Sequence, residues 1–580
     1  MRMVGAVAVA RTLEKAGIDL ALGMCGHGNV ALLDALLDTN IRFVSTYHEQ
    51  VAAHAADAYF RIGGKPAVVI TTAGAGATNV LTGLGDALLD ASAVLVLAAS
   101  TPQSELGLDA LQELGLHGNS QQGEMFRPVS KRVIRVERAE HLPRAIMRAL
   151  NIALSGCPGP VVLDIPLDLF STYMDVEIPS AELHRAGDQR FEGDATALAR
   201  AAALLSGAKR PLIYAGGGVN RSQGSAALTA LAEALDIPVV TSLSGRGAIS
   251  EAHPLSAGFT GVVGHPVANA LVREADVMLA VGTRFFDIDT SSWSPTLFAA
   301  IPPVRLIHID VNPYEIGKIF PTECGIVGDA KAALAALVRQ VGTNDRSDVE
   351  GAWRNRVRSA KAAWESEAAE LRASDDMPMQ IARILSDIRG VLPSNGIFVS
   401  GVGIRHVAGQ HFPILEPDTY VVGSGFATMG QEPPAAIGAA LAAKDRPVVA
   451  VVGDGAFMCT LPMLATAVAE KLPAVWVVLN NGGYASIATY QAKHYKRFLG
   501  TRFESPDGTP YGPDYVAIAR GFGASASRIS SPAELGPAIT RALASGLPTV
   551  IEVPTSPISK TRATGNWAVN DYIAAGTKGK

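Results

Sequence analysis

Short apolar runs, each followed by a stretch of helical periodicity, recur along nearly the whole chain. They include Ala67 to Thr72, Ala93 to Ala98, Val161 to Ile165, Leu212 to Ala215 and Val277 to Val281. The series continues with Arg305 to Asp310, Ile397 to Ser400, Val448 to Val452, Ala474 to Leu479 and Thr549 to Val553. Strands that are apolar throughout belong in parallel sheets covered by helices on both faces. At about 150 residues per domain, 580 residues are too many for one core. The expectation is α/β: three doubly wound parallel-sheet domains.

Polar stretches mark the divisions, one from about Asp175 to Asp194 and one from Gly342 to Pro378, where Trp353 and Trp364 sit among charged residues. The second reads as a solvated helix between domains. The expected partition is 1–180, 190–345, a linker over 346–377, 378–558, and a C-terminal tail over 559–580 that is disordered or closes over a pocket. Hydrophobic residues make up 48% and charged residues 18%, with a net charge of −5, which excludes wholesale disorder. No basic stripe with interleaved aromatics points to nucleic acid, and no apolar run of about 18 residues points to a membrane. The N-terminus passes directly into an amphipathic helix carrying Arg11, Glu14 and Lys15, which reads as mature cytoplasmic protein. Cys25, Cys157, Cys324 and Cys459 are too scattered for a zinc site or a disulfide framework.

The most informative chemistry lies at the ends of two neighbouring strands. Val448 to Val452 runs into Gly453-Asp454-Gly455-Ala456, and Ala474 to Leu479 runs into Asn480-Asn481-Gly482-Gly483. One crossover separates them, so Asp454 and Asn481 reach the same carboxyl edge of a parallel sheet, where ligands bind in such folds. A carboxylate, an amide oxygen and a glycine-turn carbonyl are hard oxygen ligands suited to Mg²⁺ or Ca²⁺ beside a phosphate. Either piece alone would read as a helix cap or an ordinary turn; the pair at this spacing favours a shared site.

Gly453-Asp454-Gly455 with Asn480-Asn481 resembles the thiamine diphosphate signature of the acetolactate synthase and pyruvate decarboxylase superfamily, and the resemblance extends over about residues 1 to 560. It implies pyrimidine-binding, central and diphosphate-binding domains. It also implies Mg²⁺ held by Asp454, the Asn481 side chain and the Gly483 carbonyl, with Gly453, Gly455 and Ala456 against the coenzyme diphosphate. Ala456 stands where the synthases usually carry Ser, so one hydroxyl contact is lost.

Upstream, Ile41 to Thr46 reads as a strand and Tyr47-His48-Glu49-Gln50 opens a helix. On position alone Glu49 would complement the helix dipole, worth about 0.3–1 kcal/mol. The resemblance gives it another role, as the carboxyl that hydrogen-bonds the aminopyrimidine and promotes proton removal from thiazolium C2. Gly74-Ala75-Gly76-Ala77-Thr78-Asn79 follows, with Thr72 and Asn79 expected to line the pocket. Gly423 to Gly430 resembles the segment gripping the aminopyrimidine, with Met429 as the wedge beneath the bent coenzyme and the Ala427 carbonyl bonding the ring. Gly401 to His406 departs from the family's Gln-His-Gln; Arg405 is a candidate phosphate ligand in its place.

Substrate residues are less constrained. His27, in Gly26-His27-Gly28-Asn29, is a candidate for proton transfer. His117 and Gln122 fall in a segment resembling the family's substrate loop, and Ser486 and Ile487 occupy positions beside the thiazolium in relatives. The expected activity is thiamine diphosphate and Mg²⁺ dependent decarboxylation of a 2-keto acid, with ligation of the product to an acceptor. The rivals are a dione C–C hydrolase or an aldehyde or acyl-CoA lyase of the same superfamily, and, in another class, a nucleotide-binding oxidoreductase or a non-catalytic scaffold. Gly216-Gly217-Gly218, Gly282-Thr283-Arg284 and His308 to Asn312 resemble a central domain that holds FAD or ADP in some members and nothing in others. By the same analogy the site is shared between subunits of a homodimer or homotetramer.

Overall fold

The computed structural model describes residues 1–115, 121–179, 190–341, 347–556 and 563–575. Among them are three six-stranded sheets, each parallel throughout, and one short antiparallel pair made by β1 (Arg2–Val4) and β8 (Tyr173–Asp175). The first sheet contains β2 (Leu20–Gly23), β3 (Arg42–Ser45), β4 (Ala67–Thr71), β5 (Val94–Ser100), β6 (Arg132–Arg135) and β7 (Val161–Pro166), in the order 3-2-4-5-7-6. The second contains β9 (Pro211–Ala215), β10 (Val239–Thr241), β11 (Ser256–Phe259), β12 (Val277–Val281), β13 (Arg305–Asp310) and β14 (Cys324–Val327), in the order 11-10-9-12-13-14. The third contains β15 (Ile397–Ser400), β16 (Tyr420–Val422), β17 (Val448–Gly453), β18 (Ala474–Asn480), β19 (Ser525–Arg528) and β20 (Thr549–Pro554), in the order 16-15-17-18-20-19. The central strands are buried along their whole length, as uniformly apolar runs require.

Each sheet has a switch point where its connections leave for opposite sides: between β2 and β4, between β9 and β12, and between β15 and β17. At such a switch point the two flanking turns diverge and leave a crevice at the carboxyl edge. The first and third sheets also share a core. Helix Glu49–Gly63 lies against helix Glu432–Ala442 through Ala52, Ala55, Ala56, Ala435, Ala436 and Ala439. The approach is so close that a Cβ on Gly438 would fall 1.9 Å from the Ala55 carbonyl oxygen. Small residues make this contact geometrically possible.

The helix Ser347–Arg372 is not a solvated connector along its described side chains. Trp353, Val357, Trp364 and Ala368 recur at helical spacing and are buried against the second sheet's core, and Trp353 donates its indole N–H to the Pro211 carbonyl at 3.0 Å. No helix of the described residues is long and apolar enough to cross a membrane.

Candidate active site

The switch point of the third sheet is the best-furnished crevice. β17 ends at Gly453, and Asp454, 1% exposed, begins the helix Asp454–Cys459. Its Oδ1 accepts the Gly455 N–H at 2.8 Å, and its Oδ2 accepts the N–H groups of Gly482 at 2.8 Å and Asn481 at 3.1 Å. The loop after β18 is thus tied to the loop after β17. Burial pushes the Asp454 carboxyl up, and the backbone donors around it oppose that by favouring the charged form. Asn480 turns away to donate to Glu552 Oε1 at 2.8 Å, whereas the Asn481 Oδ1 is buried with no partner. A buried acceptor left unpaired beside a buried carboxylate fits a divalent cation, and Gly483 follows on the same turn.

A cavity of about 740 Å³ opens over this cradle, on the order of the 300–1,000 Å³ of small-molecule sites. Gly453, Gly455 and Ala456 line it, as do Ser486 and Ile487. A Cβ on Gly455 would fall 2.5 Å from the Tyr484 ring, so the glycine is required by that contact. Met429 lines the same cavity and is 44% exposed, which separates it from ordinary core filler. Ala427, two residues earlier, has φ +60°, a conformation that L side chains rarely take and that turns the segment at this point. Among the described residues, those lining this cavity come from positions 262 onward, so Glu49 is not among them.

Glu49 sits at the first sheet's own switch point. It opens the helix Glu49–Gly63, whose N-cap His48 accepts the Gln50 N–H, and it is 6% exposed. Asn79 donates to its Oε2 at 2.9 Å, and a Cβ on Gly76 would meet its Oε1 at 2.9 Å. Thr72 lies beside it, accepting the Gly28 N–H through Oγ1 at 3.2 Å. His27 is exposed on the intervening loop.

Two expected site residues are held by backbone. Arg405, expected at a phosphate, is 3% exposed and donates through Nη1 to the carbonyls of Gly423 and Ser424. It braces the backbone before Ala427, because the carbonyls leaving β16 are the acceptors within its reach. Gln122, expected at substrate, accepts the Gly74 N–H at 2.9 Å and donates to the Ala99 carbonyl at 2.8 Å. Both ends of its amide are taken by backbone, which pins the Gly74 turn to β5. His117 lies outside the described residues.

Two features escaped the sequence, and a third was one of two alternatives left open there. Glu432, 1% exposed, lines the cavity next to the cradle. A buried charge cluster holds the Gly423 to Gly430 segment from the first domain: Asp90 accepts the Ser424 N–H and hydroxyl, and Arg61 joins Asp57, Asp90 and the Val422 carbonyl. Finally, of the two alternatives for the tail, residues 563–575 take the docked one. Thr564 and Trp567 bond Gly264 and Asp287, and Gly565 and Asn570 border the cavity. Charge periodicity marks none of these, since each depends on partners far away in the chain. At the central switch point, Gly217, Gly218, Gly282, Arg284, Asp310 and Asn312 border a second crevice, where burial pushes the Asp310 carboxyl up to about 6.

Three family models match the chain. The N-terminal TPP binding domain of thiamine pyrophosphate enzymes matches residues 3–123, their central domain residues 198–337, and their C-terminal TPP binding domain residues 401–553. Among curated proteins, a probable acetolactate synthase large subunit of Methanocaldococcus jannaschii is 34% identical, over 96% of this chain and 92% of its own. The acetolactate synthase large subunit of Corynebacterium glutamicum is 33% identical over 93% and 85%, respectively. The mitochondrial acetolactate synthase catalytic subunit of Aspergillus candidus is 32% identical over 93% and 78%.

Proposed function

This chain belongs to the thiamine pyrophosphate enzymes and is acetolactate synthase-like, and we propose that it decarboxylates a 2-keto acid and ligates the product to a second carbonyl compound. The observation that carries this reading is the unpaired Asn481 Oδ1 beside Asp454 at the third switch point. In this reading Asp454, Asn481 and the Gly483 carbonyl hold Mg²⁺, and Gly453, Gly455 and Ala456 let backbone approach the diphosphate. Thiamine diphosphate supplies the electron sink for the C–C bond. Glu49 exchanges a proton at the aminopyrimidine ring, held in orientation by Asn79. Met429 would support the coenzyme from beneath, the Ala427 carbonyl would accept from its aminopyrimidine, and Thr72 would shape the floor near Glu49. Ser486, Ile487 and the exposed His27 flank the substrate.

Because no described residue before 262 lines the cavity over Asp454, we infer that Glu49 reaches the coenzyme from a second copy in a homodimer or a larger homo-oligomer. The central crevice is the place where FAD or ADP would lie. A dione hydrolase or a lyase remains the second reading, favoured by His27 projecting at the first switch point. Calorimetry with thiamine diphosphate and Mg²⁺, followed by product analysis with pyruvate alone, pyruvate plus 2-ketobutyrate, and a cyclic dione, distinguishes them. Acetohydroxy acid products support ligation; cleavage of the dione alone assigns the hydrolase; failure to bind the coenzyme rejects both.

A further inference from the structure

Glu432 is the first residue of helix Glu432–Ala442, between the Met429 wedge and the cradle. Its Oε1 accepts the Val402 N–H at 2.6 Å, which fixes the carboxyl at the turn after β15. Its Oε2 is buried with no partner, and the residue lines the cavity together with Gly401, Gly403, Gly453 and Asp454. This turn and the next are poor in side-chain donors, because Val402, Gly403 and Ala456 carry none. An anion entering there would meet backbone N–H groups and two carboxyls, of which Asp454 is engaged by backbone N–H groups through both oxygens while Glu432 keeps one oxygen without a partner.

We propose that Glu432 is a coenzyme-binding residue whose free carboxyl oxygen hydrogen-bonds the diphosphate across the β15 and β17 turns. The inference rests on the coenzyme assignment above and deepens it. For an acceptor-rich diphosphate the carboxyl must be the donor, so it binds protonated, with the proton on Oε2 and Oε1 still accepting from Val402. Its surroundings favour that form. Burial pushes the Glu432 carboxyl up to about 7, against the backbone donors around it and the attraction of Arg405. β15, β17 and β18 and the helix Met463–Ala469 carry no ionisable side chain. On helix Glu49–Gly63, Glu49 is engaged with Asn79, and Asp57 and Arg61 with each other, while Tyr59 bonds Asp19 and the His54 ring faces Gln50 and Asp86. On helix Asp454–Cys459 the groups facing Glu432 are Asp454, across the cavity, and the Cys459 thiol.

The test is calorimetric titration of coenzyme-free wild type, Glu432→Gln and Glu432→Ala with thiamine diphosphate and Mg²⁺ at pH 6 and pH 8, in buffers of different ionisation enthalpy. A group that must gain a proton at about 7 makes wild-type binding about tenfold weaker at pH 8 than at pH 6, beyond any change intrinsic to the ligand. Glu432→Gln keeps both the acceptor and a donor, and reports that intrinsic change alone. Wild type should therefore take up about one more proton per coenzyme at pH 8 than Glu432→Gln. Glu432→Ala should bind about tenfold more weakly than wild type at pH 6, with its coenzyme-free melting temperature reporting folding separately. Equal proton uptake and equal pH dependence in wild type and Glu432→Gln would overturn the inference and leave Glu432 as an anchor for Val402. No binding by wild type at either pH would instead bring down the coenzyme assignment, and this inference with it.

Discussion

Asn79 donates its side-chain amide to Glu49 Oε2 at 2.9 Å, across 30 residues of sequence, and so fixes the carboxylate at the edge where the strand before it and the helix after it meet. Gly76 leaves the space in which Oε1 lies. Both contacts limit where the carboxyl points.

Glu49→Gln should slow hydrogen–deuterium exchange at coenzyme C2 by about 10²–10⁴-fold, the contribution of one positioned proton-transfer group. Asn79→Ala should slow it by about tenfold, because it frees the rotamer but keeps the acid. Coenzyme affinity should change far less in either variant. Unchanged exchange in Glu49→Gln would remove Glu49 from proton transfer.

The two adjacent asparagines should separate cleanly. Asn480 bonds Glu552, whereas Asn481 Oδ1 has no partner. Asn481→Ala is therefore expected to raise the Mg²⁺ concentration needed for coenzyme binding by about tenfold or more, with little change in the metal-free melting temperature. Asn480→Ala should lower that melting temperature, because it strands a buried carboxylate oxygen. If Asn481→Ala leaves the Mg²⁺ dependence untouched, the cradle does not hold the metal through that oxygen.

The charge cluster should impose a pH dependence on the coenzyme-free protein. Burial, reinforced by Asp90 and Asp57, pushes the Asp86 carboxyl up to about 7, against the Thr428 hydroxyl and Arg61. Its folded pKa is therefore above its unfolded value of about 3.9. Between these values the folded state keeps a proton that the unfolded state releases, so this group's contribution to stability falls as pH rises from about 4 to about 7. Asp86→Asn removes that loss. Its melting temperature relative to wild type should climb over this interval and level off above it; a constant difference at pH 4.5 and pH 7.5 would refute the account.

Legibility followed the distance between cause and effect. Asp454 and Asn481 could be paired from sequence because one crossover joins their strands, and a parallel sheet dictates which edge they share. Met429 could be placed because its neighbours carry a motif. Glu432, in contrast, reads as an acid at a helix start, and only the turn at Val402, 30 residues earlier, buries it. The bracing by Arg405 was hidden for a similar reason: the carbonyls it holds belong to the segment after β16, beyond any local pattern. Trp353 and Trp364 looked solvated among their charged neighbours because burial here follows one stripe of the helix, against the second sheet. The tail offers only a Lys and Gly ending to the eye, and its docking rests on Asp287 and Gly264, nearly 300 residues away.

The shared-site reading makes a prediction that no single-chain site could satisfy. The Glu49 carboxyl reaches the turn after β4 at the first switch point, and among the described residues the cavity over Asp454 is lined only from position 262 onward. Exposed apolar side chains also stand near both halves, with Tyr47 52%, Leu108 73%, Leu111 78% and Phe426 47% exposed, a pattern that suits burial against another copy. If each site takes Glu49 from one subunit and Asp454 from the other, Glu49→Gln and Asp454→Ala are each inactive alone. A mixed dimer, however, has one site with both defects and one with neither. Co-expression at equal levels gives half mixed dimers with one intact site in two, hence about a quarter of wild-type activity. Separately purified proteins, mixed without subunit exchange, should stay inactive. Absence of recovery in a co-expressed pair whose mixed dimers are verified by differential tags would place both groups in the same chain's site and remove the need for a partner.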